Sequence, residues 1–167
     1  DLNAHTRFIA RRMRIPGDVA GADCVLCWQT GFPFSVNLAR GYPRYNPGEY
    51  TAGPLLERGE VDAVLLVGLD GVSKLSSAAQ QRLAETPTIV LQRPGVVDSR
   101  PAAVRITTGV YGIHHRGSAY RMDEVPIPLR SFLTSSLPSD HEVLARLTET
   151  IEQFAPAHAT GYGDNMI

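Results

Sequence analysis

The run Val61-Asp62-Ala63-Val64-Leu65-Leu66-Val67, closed by Gly68-Leu69-Asp70-Gly71, constrains the fold more than any other stretch. A near-continuous apolar run of strand length, ended by a tight turn, marks a parallel strand covered on both faces. The segments that follow extend the pattern. Ser76 or Ser77 caps a helix running to about Glu85, and Thr88 to Leu91 is a short β-branched strand. Ala102 to Thr107 is a further strand, nearer an edge because Arg105 interrupts it. Asp140 caps a helix to about Phe154, with Val143, Leu144, Leu147 and Ile151 on one face. Upstream, Asn3 to Met13 reads as a helix ended by Ile15-Pro16-Gly17, and Asp23 to Trp28 as the first strand. Asn46 reads as an N-cap, Pro47 to Arg58 as the helix it starts, and Gly59 as its C′ residue. Alternating strands and helices predict an α/β fold, a three-layer Rossmann-like domain with a mainly parallel sheet. We expect that domain over residues 1–155, as part of a longer chain because the sequence starts at Asp1 without methionine, with a flexible tail over 156–167.

The chain has 167 residues, enough for one domain, with 43% hydrophobic and 20% charged residues. A formal net charge of −1 points to neither nucleic acid nor an acidic membrane surface as a partner. No apolar run approaches the roughly 18 residues of a membrane span. With no targeting segment visible, the expected location is the cytoplasm. Cys24 and Cys27 are the only cysteines. On a strand, positions i and i+3 face opposite ways, so the pair is expected to be two reduced core cysteines rather than a zinc or redox site.

Ligands of open α/β sheets bind beyond the carboxyl ends of the strands. One loop at such a place is Gly68-Leu69-Asp70-Gly71-Val72-Ser73-Lys74. Small residues admit a phosphate to the backbone there, and Lys74 adds charge, which makes Gly68, Asp70, Gly71, Ser73 and Lys74 the cofactor-binding candidates. The competing reading is a tight strand-to-helix turn. A second loop ends in Gly41-Tyr42-Pro43-Arg44-Tyr45-Asn46-Pro47-Gly48-Glu49. Its prolines stiffen it, and an arginine between tyrosines suits a carboxylate or formate-like group held through a planar fork. Arg44 is the one catalytic candidate; otherwise it caps the sheet or pairs with Glu49. His114 and His115 lack an evident third ligand, so surface exposure or a partner contact is expected and no metal site is assigned. The stretch from Gly109 to Pro138 has little periodicity, as a functional or docked segment does. Within it, Val125-Pro126-Ile127-Pro128-Leu129 is expected to be extended, without a regular ladder. Tyr42, Tyr45, Tyr120 and Arg121 are interface candidates.

Three motifs also carry a resemblance: Trp28-Gln29-Thr30-Gly31-Phe32-Pro33-Phe34, the Gly41 to Glu49 run, and Gly117 to Arg130. Together they resemble the B subunit of formylmethanofuran dehydrogenase, more closely its bacterial relative in the formyltransferase/hydrolase complex. The resemblance implies a subunit in one-carbon metabolism using methanofuran and tetrahydromethanopterin carriers, of which this chain is the C-terminal part, with the other subunits of such a complex as partners. In catalytic relatives this subunit holds molybdenum or tungsten on a pterin dinucleotide and interconverts carbon dioxide and formate. In the bacterial complex it lacks the metal cofactor and supports assembly. The resemblance also suggests that an active-site arginine of catalytic members lies in the Arg44 motif. This chain has Asp70-Gly71-Val72-Ser73-Lys74 in place of the Asp-Pro-Gly-Ala-His-type loop of cofactor-bearing members. No cofactor is therefore expected in this chain, and no activity from it alone. The alternatives are part of a molybdenum- or tungsten-pterin oxidoreductase subunit, or a free-standing nucleotide-binding module.

Overall fold

A computed structural model describes residues 19–121 and 125–154. The helix read at Asn3 to Met13 and the tail over 156–167 lie outside the described residues. The elements in order are α1 (Val19–Thr30), β1 (Val36–Asn37), β2 (Arg44–Tyr45), α2 (Ala52–Glu57), β3 (Val64–Val67) and a 3₁₀ turn (Val72–Lys74). Then come α3 (Ser77–Glu85), β4 (Thr88–Gln92), β5 (Val104–Thr107), β6 (Gly117–Tyr120), β7 (Pro126–Leu129) and α4 (Asp140–Phe154).

The apolar run from Val61 builds what its pattern requires. β3, β4 and β5 form a parallel sheet in that order, with Val64 beside Thr88 and Ile89 beside Val104. The α/β reading holds, and β5, the strand that Arg105 interrupts, is at an edge of this sheet. Leu56 of α2, Val72 of the 3₁₀ turn, and Ala79 and Leu83 of α3 form a buried cluster, against which Val64 and Leu66 of β3 pack. Ser76 is the cap of α3: its hydroxyl accepts from Ala79 N at 3.1 Å. The β4–β5 connection is tied down by Asp98, which accepts from Arg100 Nε and Arg105 Nη1, both at 2.8 Å.

Five expectations change. The segment Asp23 to Trp28 is helical, within α1. A short apolar run does not separate strand from helix by periodicity, and here Ala20, Gly21 and Ala22 extend it to helix length. Thr30 Oγ1 donates back to Leu26 O (2.7 Å), and Gly31, at φ +82°, ends the helix with its N–H on Cys27 O (2.9 Å). Cys24 and Cys27 are both free, but Cys24 is exposed and Cys27 half-buried, so they are not a core pair. On a helix, i and i+3 are neighbours on one side.

No continuous helix runs from Pro47 to Arg58. Asn46 starts a single turn, its carbonyl accepting from Glu49 N and Tyr50 N; the chain then extends at Thr51 (ψ 142°) and α2 begins at Ala52. Pro54 explains the break. In a continuous helix its ring would strike the Tyr50 carbonyl and leave that oxygen without its donor, whereas in a first turn proline is tolerated. Gly59 does close α2: at φ +68° it donates to Leu56 O, and Glu60 N to Leu55 O, a Schellman end.

Ser139, not Asp140, caps α4. Ser139 Oγ accepts from Glu142 N (3.2 Å) while the Glu142 carboxylate accepts from Ser139 N (2.7 Å), a reciprocal capping box. The Ser139 hydroxyl also donates to that carboxylate (3.0 Å), and the hydrogen bonds from the Ser139 backbone and hydroxyl hold the Glu142 carboxyl below its usual range.

The proline-spaced segment does pair. β7 runs antiparallel to β6, with Gly117 opposite Leu129 and Tyr120 opposite Pro126. Arg121 N donates to Val125 O at 3.0 Å, so residues 125, 127 and 129 turn their peptide groups toward β6. Pro126 and Pro128 alternate with them, so their missing donors fall on the outer edge, where proline costs no ladder bond.

Candidate functional site at Arg44

Arg44 is the second-strand residue of a two-residue hairpin pairing, opposite Asn37 of β1, with Tyr45 opposite Val36. The loop that carries it turns at Gly41 (φ +79°), whose N–H donates to Leu38 O at 2.9 Å. The register brings Asn37 Oδ1 to Arg44 Nη2 at 3.0 Å. The same oxygen accepts from Ala39 N at 2.9 Å, which fixes its direction. On another side the guanidinium lies over the Tyr50 ring, 5.0 Å from its centroid, a cation–π arrangement. Arg44 Nε is buried with no hydrogen-bond partner among the described residues. A buried donor left unpaired costs about 1–3 kcal/mol, so this nitrogen is a place where an acceptor from outside would be stabilising.

Aromatic rings pack on Tyr45, the next residue of β2. Phe32 and Tyr45 stack at 4.9 Å with planes 3° apart, and Phe34 meets Tyr45 edge-on at 5.8 Å. Ser35, next to Phe34, has φ +51°, a left-handed conformation outside glycine, and its hydroxyl shares a hydrogen bond with Thr51 Oγ1 (2.9 Å). Glu49 is not the partner of Arg44. Its carboxylate accepts from Asn46 Nδ2 (3.2 Å), and its carbonyl accepts from Arg58 Nη2 (2.8 Å). Among the described residues no carboxylate forms an ion pair with Arg44. Asn37 and Tyr50, the two residues that orient it, carry no motif that marks them in the sequence.

The loop after β3 uses its backbone internally. Gly68 takes φ +77° and donates to Leu91 O, which sets the turn. Val72 N donates to Leu69 O, Lys74 N to Gly71 O and Leu75 N to Val72 O, and Ser73 Oγ donates to Asp70 O at 3.3 Å. Val72 itself is part of the core. These three amides face the turn's own carbonyls, whereas a phosphate cradle needs its amides converging on a ligand. Gly68 to Lys74 follow β3, whereas Arg44 stands in β2 of the separate two-stranded pairing.

His114 and His115 are half-buried rather than surface-exposed. His114 Nδ1 accepts from Val110 N (3.0 Å), and His115 Nε2 is 3.0 Å from Leu137 O. Gly109 makes room for the second ring: a Cβ there would stand 2.4 Å from His115 Nε2. His114 thus braces the 109–115 turn from within, and His115 ties it to the segment leading into α4. Among the described residues no three His, Cys, Asp or Glu side chains form a group able to hold a metal ion. Of the interface candidates, Tyr42, Tyr45, Tyr120 and Arg121 are all exposed. Trp28, at 79%, is more exposed than any of the three tyrosines. Among the described residues no helix is long and apolar enough to cross a membrane.

Comparison with known proteins agrees with the resemblance in the three motifs. The chain is 39% identical over 155 residues to the B subunit of the tungsten-containing formylmethanofuran dehydrogenase 2 of Methanocaldococcus jannaschii. It is 34% identical over 155 residues to the B subunit of the enzyme of the same name from Methanococcus maripaludis. Each match covers 92% of this chain but 36% of the relative, so the chain spans about a third of the length of these subunits. The fold is that of a chain in the formyltransferase/hydrolase complex from Methylorubrum extorquens, solved with methylofuran. That likeness has a TM-score of 0.73 at 24% identity, over 92% of this chain and 42% of the other. No family model matches the chain.

Proposed function

We propose that this chain is a segment of a B-type subunit in a formylmethanofuran dehydrogenase-like or formyltransferase/hydrolase complex of one-carbon metabolism. Its role there is to fold the subunit and present surfaces to the rest of the assembly. The observation that carries the reading is the 34–39% identity to two B subunits along 92% of the chain. The loop after β3 favours support over cofactor chemistry: three of its amides close its own turn.

Arg44 supports a second, narrower role. A guanidinium oriented by Asn37 and Tyr50, with Nε lacking a partner among the described residues, is suited to an anionic oxygen. In this reading Arg44 holds a carboxylate, from a formate-like ligand or a neighbouring side chain, and orients it without transferring a proton.

The test is to purify the native assembly through a tag on the full-length protein. The proteins that come with it are identified, and its molybdenum, tungsten and pterin are measured. Formyltransferase and hydrolase subunits with no pterin-bound metal is the expected result. Stoichiometric metal and pterin would overturn the supporting role and make the oxidoreductase reading the working one.

A further inference from the structure

The parallel sheet has a second face that the described elements cover only in part. Leu65 pairs with Ile89 and Ile89 with Val104; Val67 pairs with Leu91 and Leu91 with Ile106. Partners in a parallel ladder stand side by side on one face, and successive residues alternate. These six apolar residues therefore share the face opposite Val64 and Leu66, the pair that packs on the α2–α3 cluster.

Cover on this face is one-sided. Toward β5, Ile106 lines the same cleft as Val143 and Leu147 of α4, and Leu91 is 1% exposed. Toward β3 it runs out, with Leu65 46% and Val67 54% exposed, and it is also open at the amino end of β5, where Val104 is 47% exposed. Parallel strands occur almost only in sheets covered on both faces. No charged or polar side chain interrupts the six positions, so what fits there is an apolar surface rather than an ion or a polar loop.

The extent of the relatives names the occupant. The 155 matched residues are 36% of each curated relative, and the matched part is 42% of the structurally similar chain. Most of such a subunit therefore lies outside the region matched. We propose that the open β3 side of this face, Leu65 and Val67 above all, is covered by polypeptide of the same B-type subunit from outside the matched region. This rests on the proposed place of the chain in such a subunit, and a helix presenting an apolar stripe is the element that fits.

The test is photo-crosslinking in the full-length subunit within its native assembly. Val67→p-benzoylphenylalanine is the first variant and Leu65→p-benzoylphenylalanine the second, so that one failing to fold leaves the other. Crosslinked peptides are identified by mass spectrometry, and the co-purifying proteins in the same preparation. The expected product joins position 65 or 67 to a peptide of the same polypeptide outside the matched region. A crosslink to a second copy, to a different subunit or to residues within this segment overturns the proposal, as does no crosslink from a folded variant. Co-purifying complex subunits alongside such a negative would sink the docking proposal alone. An intramolecular crosslink of the expected kind without those subunits would sink the complex assignment and leave the docking standing.

Discussion

Asn37 Oδ1 receives Arg44 Nη2 at 3.0 Å directly across the β1–β2 pairing, so the hairpin register itself aims the guanidinium. Asn37→Ala removes that acceptor and leaves the Tyr50 contact. We expect a stability loss of about 0.5–1.5 kcal/mol by chemical denaturation. Arg44→Lys keeps the charge but loses the planar fork, so it is expected to cost a similar amount and to weaken formate binding at the site several-fold. Unchanged formate affinity in Arg44→Lys, measured by calorimetry on the full-length protein, would remove the anion-holding role.

Asp98 makes the fold acid-sensitive in a defined window. Hydrogen bonds from the Arg100 side chain, then from Arg105, lower its carboxyl from 3.8 to about 2 despite some desolvation. A lowered carboxylate value means stability that is complete above pH 3.8 and lost as pH falls toward about 2. The shift corresponds to ~1–2 kcal/mol once screening of the partly exposed arginines is allowed for. Asp98→Asn is expected to lower stability at neutral pH by about that much and to flatten its decline in acid. Matched urea titrations of both proteins across that window check this.

Gly109 and His115 form a pair that a double-mutant cycle resolves. Gly109→Ala puts a methyl 2.4 Å from where His115 Nε2 sits, so the ring must leave Leu137 O. The expected cost is about 1–3 kcal/mol. In His115→Ala the space is free, so adding Gly109→Ala there should cost much less. Additive losses in the thermal or urea midpoint would mean that the ring is not what Gly109 accommodates.

Ser139→Ala removes one half of the capping box and is expected to cost about 1 kcal/mol. Glu142→Gln keeps the side-chain length but removes the charge. The contribution of the Glu142 carboxylate is complete above its ordinary value of 4.5 and fades as pH falls through its lowered one. The gap between wild type and Glu142→Gln should therefore narrow in acid, as read by helix signal against pH.

What was legible in the sequence was periodicity backed by length. β3, α3, β4 and α4 stand close to where their patterns place them, because each is a run of apolar residues with a matching stop or cap. Asp23 to Trp28 misled because its small neighbours, Ala20, Gly21 and Ala22, carry no strong apolar signal that would have lengthened the run into a helix. The Pro126–Pro128 spacing suggested a segment without a ladder, since a single strand does not show which of its edges is paired. At the site, Arg44 stood out by its rigid loop, but Asn37 and Tyr50 are brought to it only by the hairpin register and the turn at Asn46.

The outward prolines of β7 also decide how this part of the molecule meets others. A neighbouring strand laid along that edge would find the outward donors missing at Pro126 and Pro128 and only their carbonyls to bond, too few for a regular ladder. Contact there falls mainly to side chains such as Ile127, which is 39% exposed. A joint of that kind is tuned one substitution at a time, because changing it shifts no strand out of step.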